Sequence, residues 1–105
     1  MINNKEEYIV CAGVHFINDD EYIHQPKNIK TGFVIAGHRH HNCFMTAGIF
    51  NLDRKDYNIS QGFITSNNRF VDRKFARKIA NKAGQVKVLT NADGIIKELF
   101  SEDLY

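Results

Sequence analysis

The stretch YIVCAGVHFI, residues 8–17, decides the fold because it has the pattern of a strand with two apolar faces. Successive side chains of a strand point to opposite sides of the sheet. One side would carry Val10, Ala12, Val14 and Phe16, and the residues between them would face the other side. Since both sets are mostly apolar, the pattern predicts a central strand of the sheet.

Further strands are predicted on either side of this one in the sequence. GFVIAG, Gly32–Gly37, has the composition of a buried strand, and QGFIT, Gln61–Thr65, that of a third strand. A turn at Asn18–Glu21 would lead into a short return strand, Glu21–His24, which Pro26 would end.

The clearest single element is a basic, amphipathic helix over about residues 72–83. Phe75, Ile79 and Ala83 recur at helical spacing and predict its apolar face. Asp72 is a good N-cap and Gly84 a good C-terminal stop.

The rest of the chain carries weaker signals. Asn42–Phe50 predicts a short helix, and Asn51–Ser60 a polar loop with a turn. After Gln85, VKVL predicts a short strand, TNADG a turn, and IIKELF a final strand or helical turn. We therefore expect an α+β domain with a small, mainly antiparallel sheet, the basic helix, and one or two short helices.

Composition narrows the class of protein. A chain of 105 residues with 43% apolar residues and one proline predicts a single globular domain, residues 1–105. No membrane-spanning run or signal-peptide core is present, so we expect a cytoplasmic protein of the host cell with no membrane partner. In that compartment, Cys11 and Cys43 would be reduced and buried.

Charge is concentrated in one region. Between residues 69 and 87 the only acid is Asp72, and the bases are Arg69, Arg73, Lys74, Arg77, Lys78, Lys82 and Lys87. Like charges four residues apart on a helix each cost roughly 0.2–0.5 kcal/mol, and bases in the first turn oppose the helix dipole. One explanation is a solvated face; the other is that Arg69 and Arg73 hold an anion at the helix start. The net charge of +2 favours a small anionic ligand over a long nucleic acid.

The stretch GHRHHNC, Gly37–Cys43, leaves several interpretations open. On a continuing strand, His38 and His40 would share a face and could bind a metal, but the spacing matches no zinc motif, and we expect no metal or cofactor. The same two histidines could act as general acid and base, or could donate hydrogen bonds to a phosphate or nucleobase. They could also hold a loop together.

A longer motif resembles a known group. The string QGFITSNNRFVDRKFARKIANKAGQ, Gln61–Gln85, is similar to a motif in small proteins of phages and prophages. Those proteins also carry a strand like IVCAGVHF, a G-x-R-H segment like Gly37–His40, and an ending like SEDLY, Ser101–Tyr105. The resemblance implies a phage context, in which small proteins often capture or cleave the nucleotide signals of host defence.

The functional hypothesis places the histidine stretch, Gly37–Cys43, and the start of the basic helix in one binding site. We expect a homo-oligomer that binds and sequesters a phosphate-containing nucleotide. The alternatives are a metal-independent phosphodiesterase using His38 and His40, and an inhibitor that docks its basic helix on a host protein. The candidate ligand-binding residues are His38, Arg39, His40, His41, Gln61, Arg69, Phe70 and Arg73.

Two of these residues, and the tail, have alternative roles. Phe70 would either pack against the first helical turn or stack on a base, and Gln61 would allow close backbone approach to a ligand or strand. If the acidic tail docks on its own domain or on a second subunit, Glu102 or Asp103 would pair with Arg69 or Arg73, and part of the basic face would be structural.

Overall fold

The computed structural model describes residues 6–52 and 57–104. Its sheet has the strand order β2-β1-β3-β4, and all neighbouring strands are antiparallel. The strands are β1 (Ile9–Ile17), β2 (Phe33–Gly37), β3 (Asn58–Thr65) and β4 (Phe70–Asp72); the helices are α1 (His40–Ile49) and α2 (Arg73–Lys82), and Ser101–Asp103 forms a 3₁₀ turn. The predicted α+β class and the central position of the first strand are confirmed.

Both helices pack on one face of the sheet. That face presents Val14 and Phe16 of β1 and Phe63 of β3, which are fully buried. Helix α1 contributes Cys43 and Ala47 to this core, and α2 contributes Ala76, Ile79 and Ala80. Leu99, with no exposed surface, completes the core from the far end of the chain.

Helix α2 has the predicted ends. The side chain of Asp72 accepts a hydrogen bond from the backbone N–H of Phe75 at 2.7 Å, so the predicted N-cap is confirmed. Gly84 follows the C-cap with φ +76°, a conformation that glycine adopts without strain. The predicted apolar face is partly correct: Ile79 and the two alanines that flank the predicted positions, Ala76 and Ala80, lie in the core, whereas Phe75 is 44% exposed.

Three sequence predictions are wrong. Residues 21–24 form no strand; they belong to a connection tied to the sheet by side-chain bonds, such as the one from the backbone N–H of Val34 to Gln25. The predicted loop 51–60 already includes the first residues of β3, while residues 53–56 lie outside the described part of the chain. The strands predicted after Gln85 are reduced to one isolated bridge, Thr90 with Ile96.

Candidate functional site

The histidine segment changes from strand to helix within three residues. Strand β2 ends at Gly37 and α1 begins at His40, with Arg39 as the extended N-cap residue. The side chain of Asn42 accepts a hydrogen bond from the Arg39 backbone at 3.0 Å, which stabilises the first turn. His38 and His40 therefore do not share a strand face, and that prediction is wrong.

His40 is buried between β3 and the C-terminal segment, which we define as residues 99–103. Its Nε2 lies 2.7 Å from the carbonyl oxygen of Gly62, and its Nδ1 lies 2.9 Å from the hydroxyl of Ser101. A carbonyl can only accept, so the network assigns the proton to Nε2, and Nδ1 accepts from the serine. Burial lowers the pKa of His40, and the nearby charge of Arg73 acts in the same direction. This neutral imidazole holds the C-terminal segment on the sheet.

Arg73 binds the same segment from the start of α2. Its Nη2 donates to the side-chain oxygen of Gln61 at 2.6 Å, and its Nη1 donates to the carbonyl of Leu99 at 3.0 Å. The guanidinium also lies over the ring of Phe100, 4.6 Å from its centroid. Since Gln61 and Gly62 are neighbours on β3, the histidine segment and the helix start do meet, as the hypothesis required.

Two ion pairs fix the acidic residues of the C-terminal segment. Arg77 donates to Asp103 at 2.7 Å, and its side chain is only 7% exposed. The pair of Arg39 with Glu102, at 3.8 Å, is looser and more exposed. The tail does dock on its own domain, but its acidic residues Glu102 and Asp103 pair with Arg39 and Arg77 rather than with Arg69 or Arg73. Arg77 is thus not part of a solvated basic face.

Arg69 and Phe70 lie elsewhere. Arg69 forms a two-point ion pair with Glu7, which lowers the pKa of that carboxyl, and its guanidinium lies 5.3 Å from the ring centroid of Phe75. Phe70 is 8% exposed, its ring meets His15 edge-on, and the side chain of Asn28 bonds both of its backbone groups. A buried ring of this kind is not open to a nucleobase.

A groove lies beside Arg69, between the turn after β3 and the flank of α2. It has a volume of about 540 Å³, and it is lined by Glu6, Glu7, Asn67, Arg69, Phe75, Lys78, Ile79, Lys82 and Ala83. Phe75, Ile79 and Ala83 are its apolar lining residues, and the side chains of Lys78 and Lys82 are exposed. Arg69 and Glu7 neutralise each other. The other charged side chains that line the groove are therefore the two lysines and one acid, Glu6.

Of the residues that line this groove, the ligand-binding residues predicted from the sequence include Arg69 but not Phe75, Lys78 or Lys82. The signal was present in the like-charged row at positions 74, 78 and 82 and in the ring at 75. Phe75 was assigned to the core because its spacing with Ile79 fits a buried helix face. The exposed ring lies at the edge of that face and therefore forms part of the groove.

Comparison with protein families shows which family the chain belongs to. Residues 8–105 match the model of the phage T4 y16D protein family. The chain belongs to this family. The expected relationship to small phage proteins is thereby confirmed. No curated protein and no solved structure gave a match.

The two cysteines of this y16D family member are unbridged. Cys43 is buried and Cys11 is half-buried, and burial raises the pKa of the Cys43 thiol to about 11. Such a thiol is a poor nucleophile at neutral pH. Within residues 6–52 and 57–104, no three His, Cys, Asp or Glu side chains are grouped to hold a metal ion, and no helix is long and apolar enough to cross a membrane.

Proposed function

We propose that this phage protein binds a nucleotide-type anion in the groove beside α2 and thereby sequesters a nucleotide signal of its host. One observation carries the proposal: the groove brings an exposed aromatic ring and two lysines together. Phe75, 44% exposed, offers a surface on which a base can stack, and Lys78 and Lys82 offer charges for phosphate. A groove of about 540 Å³ is within the size range of small-molecule sites.

The charges of the groove suit a small ligand. The ion pair with Glu7 holds the Arg69 guanidinium over one face of the Phe75 ring, so a base would stack on the opposite face. Lys78 and Lys82 are four residues apart, so both can reach one phosphate group or two linked phosphates. The proposal keeps Arg69 from the predicted site; ligand contacts by His38 and His41 stay predictions.

The geometry favours sequestration over cleavage. None of the described residues that line the groove is a histidine. His40 has both ring nitrogens engaged by Gly62 and Ser101, so it is not placed to exchange protons with a substrate. The link to host defence rests on the phage origin of the family and is an analogy.

The first test is a thermal-shift screen with AMP, ADP-ribose and cyclic dinucleotides, followed by calorimetry on each hit. Replacing Lys78 and Lys82 together by Gln should weaken binding by at least about tenfold, since one charge-assisted contact contributes about 1.5–3 kcal/mol and about 1.4 kcal/mol corresponds to a factor of ten in affinity. Lys74→Gln is the matched control, because Lys74 is an exposed lysine of the same helix that does not line the groove.

The outcomes separate three functions. Bound nucleotide recovered intact after heat denaturation supports sequestration, and nucleotide recovered cleaved would replace it with hydrolysis. An equal loss of affinity in Lys74→Gln would show that general charge, and not the groove, binds the ligand. If none of the nucleotides shifts the melting temperature, the proposal fails and the basic helix becomes a candidate protein-docking surface.

A further inference from the structure

The hydroxyl of Thr65, the last residue of β3, is a buried hydrogen-bonding centre beside the groove. It accepts hydrogen bonds from the backbone N–H groups of Asn67 at 3.2 Å and Arg69 at 3.3 Å. It donates its own proton to the carboxylate of Glu7 at 2.5 Å. These directions are fixed, because a backbone N–H can only donate and an ionised carboxylate can only accept. Thr65 is 2% exposed, so its hydroxyl is not open to a ligand.

Glu7 connects this hydroxyl to the cation that covers Phe75. One oxygen of its carboxylate accepts from Thr65 and also from Nε of Arg69 at 2.8 Å, and the other oxygen accepts from Nη2 of Arg69 at 2.5 Å. Two parallel bonds of this kind fix the orientation of a guanidinium. The side chain of Glu7 is only 14% exposed. The guanidinium that it holds lies over the ring of Phe75, 5.3 Å from the centroid.

The bond from Thr65 to Glu7 goes beyond what the turn after β3 requires. A hydroxyl that stabilises a turn needs only its bonds to the local backbone, here to Asn67 and Arg69. The third bond reaches a carboxylate 58 residues away in the chain. All three partners of the hydroxyl, Glu7, Asn67 and Arg69, line the groove. One buried side chain therefore joins the two segments that form this wall of the groove.

We propose that Thr65 is a positioning residue of the groove. Its hydroxyl fixes Glu7, and Glu7 fixes Arg69 over one face of Phe75, so that the ring presents its other face to a base. Thr65 acts before the ligand arrives, because side chains that are already ordered lose less conformational entropy on binding. The inference rests on the nucleotide-binding function proposed for the groove and names the residue that orders the site.

The test measures the affinity of Thr65→Val for AMP, ADP-ribose and cyclic dinucleotides by calorimetry. Valine keeps the branched shape of threonine without the hydroxyl. Binding should weaken about three- to tenfold, the range expected when one or two long side chains must be ordered by the ligand. Thr65→Ser keeps the hydroxyl and should restore most of the affinity. Ser66→Ala is the matched control, because the Ser66 hydroxyl also bonds the segment before β1, at the backbone N–H of Tyr8, but neither of these residues lines the groove.

An NMR titration of the Glu7 carboxyl in the free protein distinguishes positioning from a general loss of stability. The hydrogen bond from Arg69 is the main cause of the lowered pKa of Glu7, and the hydrogen bond from Thr65 lowers it further. Thr65→Val should therefore raise the pKa of Glu7. Thr65→Ser and Ser66→Ala should leave this pKa close to its wild-type value.

The results distinguish the role of Thr65 from the function of the groove. A wild type that binds none of these nucleotides refutes the function proposed for the groove, and the inference fails with it. If the wild type binds and Thr65→Val binds equally well or more tightly, the inference alone is overturned. It is also overturned if Ser66→Ala weakens binding as much as Thr65→Val, or if the pKa of Glu7 is the same in Thr65→Val as in the wild type.

Discussion

Gly62 is the position where the smallest change should have a large effect on stability. A Cβ at this residue would lie 2.1 Å from the carbonyl oxygen of Val71 and 2.8 Å from the ring of Phe70. Real Cβ contacts essentially never fall below 3.0 Å, so the backbone of β4 would have to move by 0.9 Å, the difference between 3.0 and 2.1 Å. Gly62→Ala should therefore disturb the β3–β4 pairing.

The expected decrease in the free energy of unfolding comes from two destabilising effects, partly offset by a third. Overpacking costs about 1–3 kcal/mol, and each weakened ladder hydrogen bond about 0.5–1.5 kcal/mol. The lower entropy of the unfolded chain with alanine returns about 0.4–1 kcal/mol. We expect a net decrease of about 2 kcal/mol in the free energy of unfolding, a sizeable part of the roughly 5–15 kcal/mol typical of a domain.

Urea denaturation followed by circular dichroism measures this loss. With a slope of about 1–3 kcal/mol per molar urea, the midpoint should fall by about 1 M. Gly48→Ala, studied in dilute solution, is the control, because its Cβ meets open space and alanine should stabilise the helix by about 0.5–1 kcal/mol. A Gly62→Ala protein within 0.5 kcal/mol of the wild type, by the same measure, would refute the close approach of β4.

Three further predictions concern charged groups. The pKa of folded His40 lies below its unfolded value of about 6.5, so unfolding takes up a proton below that pH. The free energy of unfolding should therefore decrease as the pH is lowered below about 6.5, by up to about 1.4 kcal/mol per pH unit. His40→Gln should remove this dependence in urea titrations. Asp103→Asn leaves the buried Arg77 without its anion and should cost about 2 kcal/mol, whereas Arg77→Met should cost less; the reverse order of the two melting temperatures would contradict this account. The pKa of Glu7 is lowered by Arg69, so its stabilisation is present above pH 4.5 and lost as pH falls through the folded pKa, and Glu7→Gln should flatten acid denaturation in that range.

The elements that could be predicted from the sequence are those whose signals come from residues close together in the chain. Alternating apolar residues identified β1, and the Asp72 cap and Gly84 stop identified α2, because both signals depend on neighbours within a few positions. Strand β4 was missed because three residues, Phe70–Asp72, are too few for a period-2 pattern and their role depends on pairing with β3.

The candidate site was harder to predict because its parts come together only in the fold. Nothing near His40 in the sequence indicates that Ser101, 61 residues away, occupies one of its nitrogens. An exposed arginine and a buried one look alike in sequence, and Arg77 is buried among groups distant in the chain, the carbonyls of Val88 and Glu98 and the carboxylate of Asp103. The meeting of the histidine segment with Arg73 was a hypothesis that the structure supports, but the contacts there hold the protein's own chain.

The late position of Leu99 and Ser101 in the chain has a consequence for synthesis on the ribosome. The central strand and α1 emerge early, yet the core to which they contribute lacks Leu99, and His40 lacks one of its two partners, until about residue 103 has been made. Until then the nascent chain lacks a side chain that is fully buried in the folded core, and part of its apolar surface stays uncovered. A messenger RNA truncated before codon 99 would yield a product with an incomplete core, and cellular proteases would degrade that product readily.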